Sequence, residues 1–558
     1  MKTIILKTII ALTVLFQMTS CEKFNELNVS PNSPENVSSN YILTYVLIGT
    51  AKSYKALADH KTGIAGAMQY NQMGTNDGAP EVNQYLWTPA SFGLYYDLLR
   101  NIEIIHEKSI SENNKLMEGI SITLKSFLFG TLTDLFGDVP YSESMQAAQG
   151  IYFPKYDDQK NVYKGILEDL KNAENILGDP GISKYKIDPN ADVMYRGDPA
   201  KWRKFVNSLR LRYSMRLINK KMTMSAIGVD IVAEFNSAST QAFGSTIDDA
   251  VVNYLGVTGD NSAKGGLLNA SNPEFQTKPS KTIVDKLKSL NDPRLHRWVI
   301  PVQAKWDLNI STQTVVTVNN WFGETFQVTF MPTTNTSLDT SLYIGLPPNI
   351  SIMDAAVYNK GAGPSFSSPE KSPYISFLHS RFRANSDPYI KMDLMMYSEV
   401  EFLLAEAAQR GGFSISDPET HYKNGIVASM KRWGITDGAN RFNFNTYYSS
   451  PKVSYSSAIN KIERIIDQKW LSLWLNVESW FDWRRTGYPV LKTGPVTQYG
   501  AALPLRFMYP IPFQDAKYLV NYNDAVNKLE ASSYVPSGQS KDHTYSKMWL
   551  LQGTGLPY

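Results

Sequence analysis

The sequence predicts a mainly α protein, built from paired helices and interrupted by one loop-rich insertion with short β-hairpins. Three observations carry this. Long segments place apolar residues at three- and four-residue steps. Asp-Pro pairs open helices and glycines close them. Between about residues 250 and 387 the composition turns to Asn, Thr, Ser, Pro and Gly.

The chain opens with Lys2 and Lys7, runs through an apolar stretch from Thr8 to Phe16, and reaches Thr19-Ser20-Cys21. That is the layout of a signal peptide over residues 1–20. Only fourteen residues separate Lys7 from Glu22, whereas a spanning helix needs ~20 apolar ones, so a permanent transmembrane anchor is disfavoured. The single cysteine of the 558 residues lies just past the apolar run. Its position predicts cleavage before Cys21 and acylation of that residue, palmitate included, leaving a lipoprotein held at a membrane by its first mature residue. Residues 21–40, rich in Asn, Ser and Pro, read as a lipidated flexible tether. The rest, 41–558, reads as one helical body.

Helices are expected over Tyr41–Ala58, Ser91–Lys108, Leu116–Leu135, Val162–Leu177 and Lys201–Lys220. Asp198 caps a helix whose first position is Pro199. A helical hairpin runs from Asp393 to Arg410, breaks at Gly411-Gly412, and resumes from Pro418 to Trp433. Its first arm aligns Leu394, Tyr397, Val400, Leu404 and Ala408 in one stripe. Within the insertion, Thr282–Leu290 is helical. TQTVVTV and ETFQVTF alternate like strands around Asn319-Asn320-Trp321-Phe322-Gly323, a hairpin tip bearing two aromatics.

Several segments resemble the SusD/RagB family of outer-membrane nutrient-binding lipoproteins, more narrowly its SusD-like_2 branch. They are TDLFGDVPYSE (Thr133–Glu143), YSEVEFLLAEAAQRGG (Tyr397–Gly412), NGIVASMKRWGI (Asn424–Ile435), QKWLSLWLNVESWFDWRRTGYP (Gln468–Pro489) and RFMYPIPFQD (Arg506–Asp515). The resemblance implies a scaffold of tetratricopeptide-like helix pairs with a loop-rich ligand face. It also implies a partner, a TonB-dependent outer-membrane barrel of the SusC kind, over which the lipoprotein acts as a lid that captures oligosaccharide or peptide. Ser472 and Asn476-Val477 stand where the commonest family form has acidic residues and a Glu-Gly pair. Ligand residues of better-known members therefore do not carry over.

Among the aromatics, Trp470, Trp474 and Val477 step by four and three and read as core. Asp482 and Arg485 read as a structural ion pair. Loop aromatics are the ligand candidates: Tyr85 and Trp87 in GTNDGAPEVNQYLWTPAS, and Trp306, Trp321 and Phe322 in the insertion. An exposed flat ring stacks on the apolar face of a pyranose while neighbouring amides bond its hydroxyls.

The formal charge is +3, falling to +1 once Lys2 and Lys7 leave with the signal, which gives no electrostatic case for nucleic acid. The six histidines show no metal-binding helical spacing, and nucleophile-elbow, phosphate-loop and EF-hand motifs are missing. No catalytic residue, metal or cofactor is expected beyond the lipid on Cys21. Oligosaccharide capture leads; peptide cargo and a membrane-anchored carboxylate-pair glycoside hydrolase are the alternatives.

Overall fold

The computed structural model describes residues 37–58, 63–73, 85, 87–256, 277–364, 371–384, 387–439, 442–493, 502–510 and 516–556. Cys21, the signal segment and most of the tether lie outside them. The principal helices are α1 (Ser39–Leu57), α2 (Gly93–Ser111), α3 (Lys115–Phe136), α4 (Gln159–Leu177), α5 (Pro199–Arg216), α6 (Ile231–Ser239), α7 (Lys281–Leu290), α8 (Tyr397–Arg410), α9 (Pro418–Arg432), α10 (Lys461–Ser472) and α11 (Glu478–Thr486). Strands relevant to the site are β1 (Ala250–Asn253), β2 (Ala304–Asp307), β3 (Thr314–Asn319), β4 (Thr325–Pro332) and β5 (Lys391–Met395).

Local signals set the helix starts. Asp198 accepts from Ala200 N at 2.9 Å with Pro199 at the first helical position, and Asp417 caps α9 through Thr420 N at 3.2 Å. Ser38 caps α1, so Ser39 and Asn40, read as the end of the tether, are already helical. Neighbours in sequence pack as neighbours in space: α1 on α2, α2 on α3, α3 on α4, α4 on α5, and α5 on α6. A second stack joins α8, α9 and α10, and it meets the first where α8 packs on α5. One apolar core runs through both stacks, from Leu43 to Leu551. No helix among the described residues is long and apolar enough to cross a membrane.

Buried ions fasten the two stacks. On α5, Arg212 and Arg216 lie one turn apart. Arg212 forks onto Glu399 of α8 with two 2.7 Å bonds and reaches Glu478 of α11 at 3.6 Å. Arg216 pairs with the other oxygen of Glu478 and reaches Asp134 of α3 at 3.3 Å. Asp134, near the end of α3, is therefore part of this interior cluster. Glu406 of α8 and Arg485 of α11 form a second fork, both bonds 2.6 Å, and Arg485 also holds Asp482 at 2.8 Å as the spacing predicted.

Burial would raise the Glu406 carboxyl, but Arg485 and Arg410 hold it down at about 2, below its ordinary 4.5. A depressed carboxyl stabilises the fold above its unfolded value and loses that contribution as pH falls through its folded one. Stability should therefore drop between pH ~4.5 and ~2. Denaturant titrations across that window should show a shallower pH slope in Glu406→Gln; an unchanged slope would remove Glu406 from the acid response.

The insertion differs from expectation at one boundary. Asp393–Met396 reads from sequence as the start of the α8 helix, yet Lys391–Met395 is β5, paired antiparallel with β1 in the register Lys391↔Asn253 and Met392↔Val252. The strand's partner lies far away in sequence and outweighs local helix preference. The predicted hairpin is present: β3 and β4 pair from Thr314↔Phe330 to Asn319↔Thr325, with β2 joining β4 in parallel. At its tip, Asn320 Oδ1 accepts from Phe322 N at 2.9 Å and Glu324 N at 3.1 Å, and Gly323 takes a φ of +78° that favours glycine.

Candidate functional site: an aromatic cleft at converging element ends

The structure corrects the placement of three ligand candidates. Tyr85 is completely buried, and its hydroxyl donates to Asn349 Oδ1 at 3.0 Å. Trp87 lies edge-on to Trp480 and Phe507 at 5.3 and 5.1 Å. Trp306 is buried, stacks on Tyr374 at 5.3 Å, and donates through Nε1 to Asn359 O at 2.8 Å. Polar flanking sequence suggested exposed rings, but distant residues close over each of them. None offers a face to a sugar in this conformation. Trp321 and Phe322 are half-buried at the hairpin tip, where Trp321 stacks on His296 at 5.7 Å and the Arg297 guanidinium lies 3.5 Å from the Phe322 ring centre.

Beside that tip, with Arg297 between the Phe322 and Tyr389 rings, lies an open cleft that Tyr389 lines. Its walls come from the ends of elements. The last turn of α1 supplies Tyr54 and Lys55, Trp433 follows α9, and Trp474-Leu475-Asn476 follows α10. Because Asn253 pairs with Lys391 at the end of the β1–β5 ribbon, the next residues on each strand, Tyr254 on one side and Tyr389-Ile390 on the other, emerge together into the same space.

Aromatic packing makes the cleft floor rigid. Trp474 stacks flat on the buried Trp298 at 4.6 Å with 6° between planes, and Trp433 meets Trp298 edge-on at 5.6 Å. Phe382 lies between them, 6.4 Å from Trp433 and 6.5 Å from Trp474. Tyr389 leans over Trp433 at 6.4 Å. It lies across Gly434, where a Cβ would collide with its hydroxyl and where φ is +67°, so glycine is required on both counts.

Polar groups are few. Arg432 forks onto Asp393 with two 2.9 Å bonds and donates to Tyr389 O at 2.9 Å. Asn476 Nδ2 donates to Asp393 O at 3.1 Å. Two donors on lining residues, Trp474 Nε1 and Arg432 Nε, are buried without a protein hydrogen-bond partner. Asp393 is the sole carboxylate among the lining residues. Among the described residues, no group of three or more His, Cys, Asp or Glu is placed to hold a metal.

Sequence reasoning missed the cleft. It read Trp474 as core and gave Tyr254, Phe382, Tyr389 and Trp433 no role. Tyr389 follows a polar Ser-Asp-Pro run and Trp433 precedes a helix-ending glycine, signals too common to single them out.

A family model described as "Starch-binding associating with outer membrane", SusD-like_2, matches residues 31–510. The chain belongs to the SusD-like_2 family. Solved structures agree on this SusD-like fold. A SusD homologue from Bacteroides fragilis NCTC 9343 is 25% identical, with 92% of this chain and 99% of that one covered and a TM-score of 0.67. A second homologue from the same strain is 22% identical over 92% and all of its length, with a TM-score of 0.70. A protein described as chitin-binding is 23% identical over 92% and 99%, with a TM-score of 0.67. No curated protein matches. The SusD-like_2 chain thus has the tetratricopeptide-like helical fold of SusD homologues, and its family is one of outer-membrane nutrient-binding proteins.

Proposed function

We propose that this SusD-like_2 protein is an outer-membrane lipoprotein, anchored through an acylated Cys21, that captures oligosaccharide in the aromatic cleft and delivers it to a TonB-dependent barrel of the SusC kind. The observation that carries the reading is the cleft's composition: the half-buried rings of Tyr389 and Tyr254 stand at its wall over a packed floor of Trp433 and Trp474. The half-buried Tyr389 ring takes the apolar face of a pyranose, as pockets with a few polar groups around an aromatic wall do. Binding without hydrolysis suits the site, because two-carboxylate glycosidases need a pair ~5–10 Å apart, and Asp393 stands without a second acid at the lining and is engaged by Arg432. Residues 21–38 act as the tether, and the helical body moves over the barrel at high local concentration.

The test has two arms. The soluble form beginning at Glu22 is titrated with neutral and acidic oligosaccharides and with peptides, following retention and any shortening of the glycan. Glycan retention without product supports the reading; retention of peptides alone, or release of shorter sugars, overturns it. In cells, Cys21→Ser is expected to move the protein from the membrane to the soluble fraction, and continued membrane retention would remove the anchor.

A further inference from the structure

The charges around the cleft do not balance, and the imbalance names a ligand chemistry. Three carboxylates stand near Tyr389, and each already has a cation. Glu324 meets Arg381 at 3.3 Å and His379 at 3.0 Å. Asp387 faces Arg381 at 3.8 Å, and Asp393 is held by both Nη2 bonds of Arg432. Arg297 is left over. Among the described residues no carboxylate lies within ion-pair distance of it, and its Nε is buried without a hydrogen-bond partner. Lys391, on the cleft lining, likewise has no ion pair among the described residues.

Arg297 is also fixed in place. Its guanidinium sits 3.5 Å from the Phe322 ring centre and 4.9 Å from that of Tyr389, the ring that lines the cleft. Arg381 approaches the same tyrosine at 5.3 Å, so two guanidiniums share one ring. Burial, reinforced by the Arg381 charge, holds Arg297 below its ordinary value against the opposing pull of Tyr389, Glu324 and Asp387. A planar fork braced by two aromatic faces is preorganised to receive a carboxylate or sulfate in bidentate fashion.

We infer that the cleft takes an anionic glycan, whose uronate carboxylate or sulfate ester pairs with Arg297 while its sugar ring rests on Tyr389. The inference rests on the oligosaccharide-capture reading and adds the chemical class of the sugar. It also gives the hairpin tip a role. Phe322 stacks on Arg297, and the bonds of Asn320 and Glu324 fix the loop that carries it.

Calorimetric titration of the soluble chain with tetragalacturonate, a sulfated heparin tetrasaccharide, maltotetraose and chitotetraose tests this. At least one of the two acidic sugars should bind, which one distinguishing carboxylate from sulfate, with an affinity that falls as salt rises. Arg297→Gln should weaken that binding about tenfold or more, the size of a lost charge-assisted bond. Arg297→Lys should recover only part of it, since an ammonium lacks the planar fork. Unchanged acidic-sugar binding in Arg297→Gln overturns the inference. Binding of neutral sugars alone, lost in Tyr389→Ala, also overturns it while leaving the capture reading intact, whereas no glycan binding of either kind overturns both.

Discussion

Replacing Glu478 by alanine is expected to cost about 3–5 kcal/mol of folding stability, the range for removing one partner from a buried ion cluster. Its carboxylate, 2% exposed, touches Arg216 directly and stands 3.6 Å from Arg212, and it accepts a bond from the Tyr54 hydroxyl at 3.2 Å. Burial would raise this carboxyl, yet Arg216 and Arg212 hold it below its ordinary value, so it is the charged form that the fold uses. Deleting it leaves two interior guanidiniums to share Asp134 and Glu399. Glu478→Gln keeps the shape and should cost less. Urea denaturation should show a lower midpoint for the alanine variant with an unaltered m-value; a loss under about 1 kcal/mol would mean that the remaining carboxylates satisfy both arginines.

Tyr389→Ala is expected to weaken oligosaccharide binding by about 2 kcal/mol, roughly thirtyfold, as hot-spot aromatics do. The substitution isolates the ring. Asp387 Oδ1 accepts from the Tyr389 backbone N–H at 2.8 Å and Arg432 donates to its carbonyl at 2.9 Å, so alanine retains both anchors and the loop keeps its path. Tyr389 is only half-buried, and thermal stability should change little. Calorimetry with any sugar retained by the parent protein reads the loss, and a melting curve reads the fold. Full affinity in a folded Tyr389→Ala protein would place the binding surface elsewhere.

Where a signal was local, the sequence was legible. Asp198-Pro199 and Asp417-Pro418 start α5 and α9 where the dipeptides predicted, and the Thr314–Pro332 hairpin formed around its predicted tip. Where a structure depends on partners far along the chain, no local pattern announces it. β5 became a strand because Ala250–Asn253 lies beside it. Tyr85 and Trp87 sit among Gly, Asn and Pro, yet Asn349, Trp480 and Phe507 enclose them. The cleft was illegible for the same reason: it is assembled mainly from the ends of α1, α9, α10 and the β1–β5 ribbon, each contributing a few residues that look ordinary in their own segment. Trp474 illustrates this, since one face packs on Trp298 as a core residue should while its edge borders the cleft.

Helix α1 enters the fold at Ser39 and lines the cleft with Tyr54 and Lys55 at its other end. At 1.5 Å per residue these points are about 24 Å apart along a straight strut. For a protein anchored at Cys21, the tether sets how far the body can wander, but α1 sets a fixed standoff between the tether's attachment point and the cargo. Lengthening the tether would change the search volume and leave that standoff untouched.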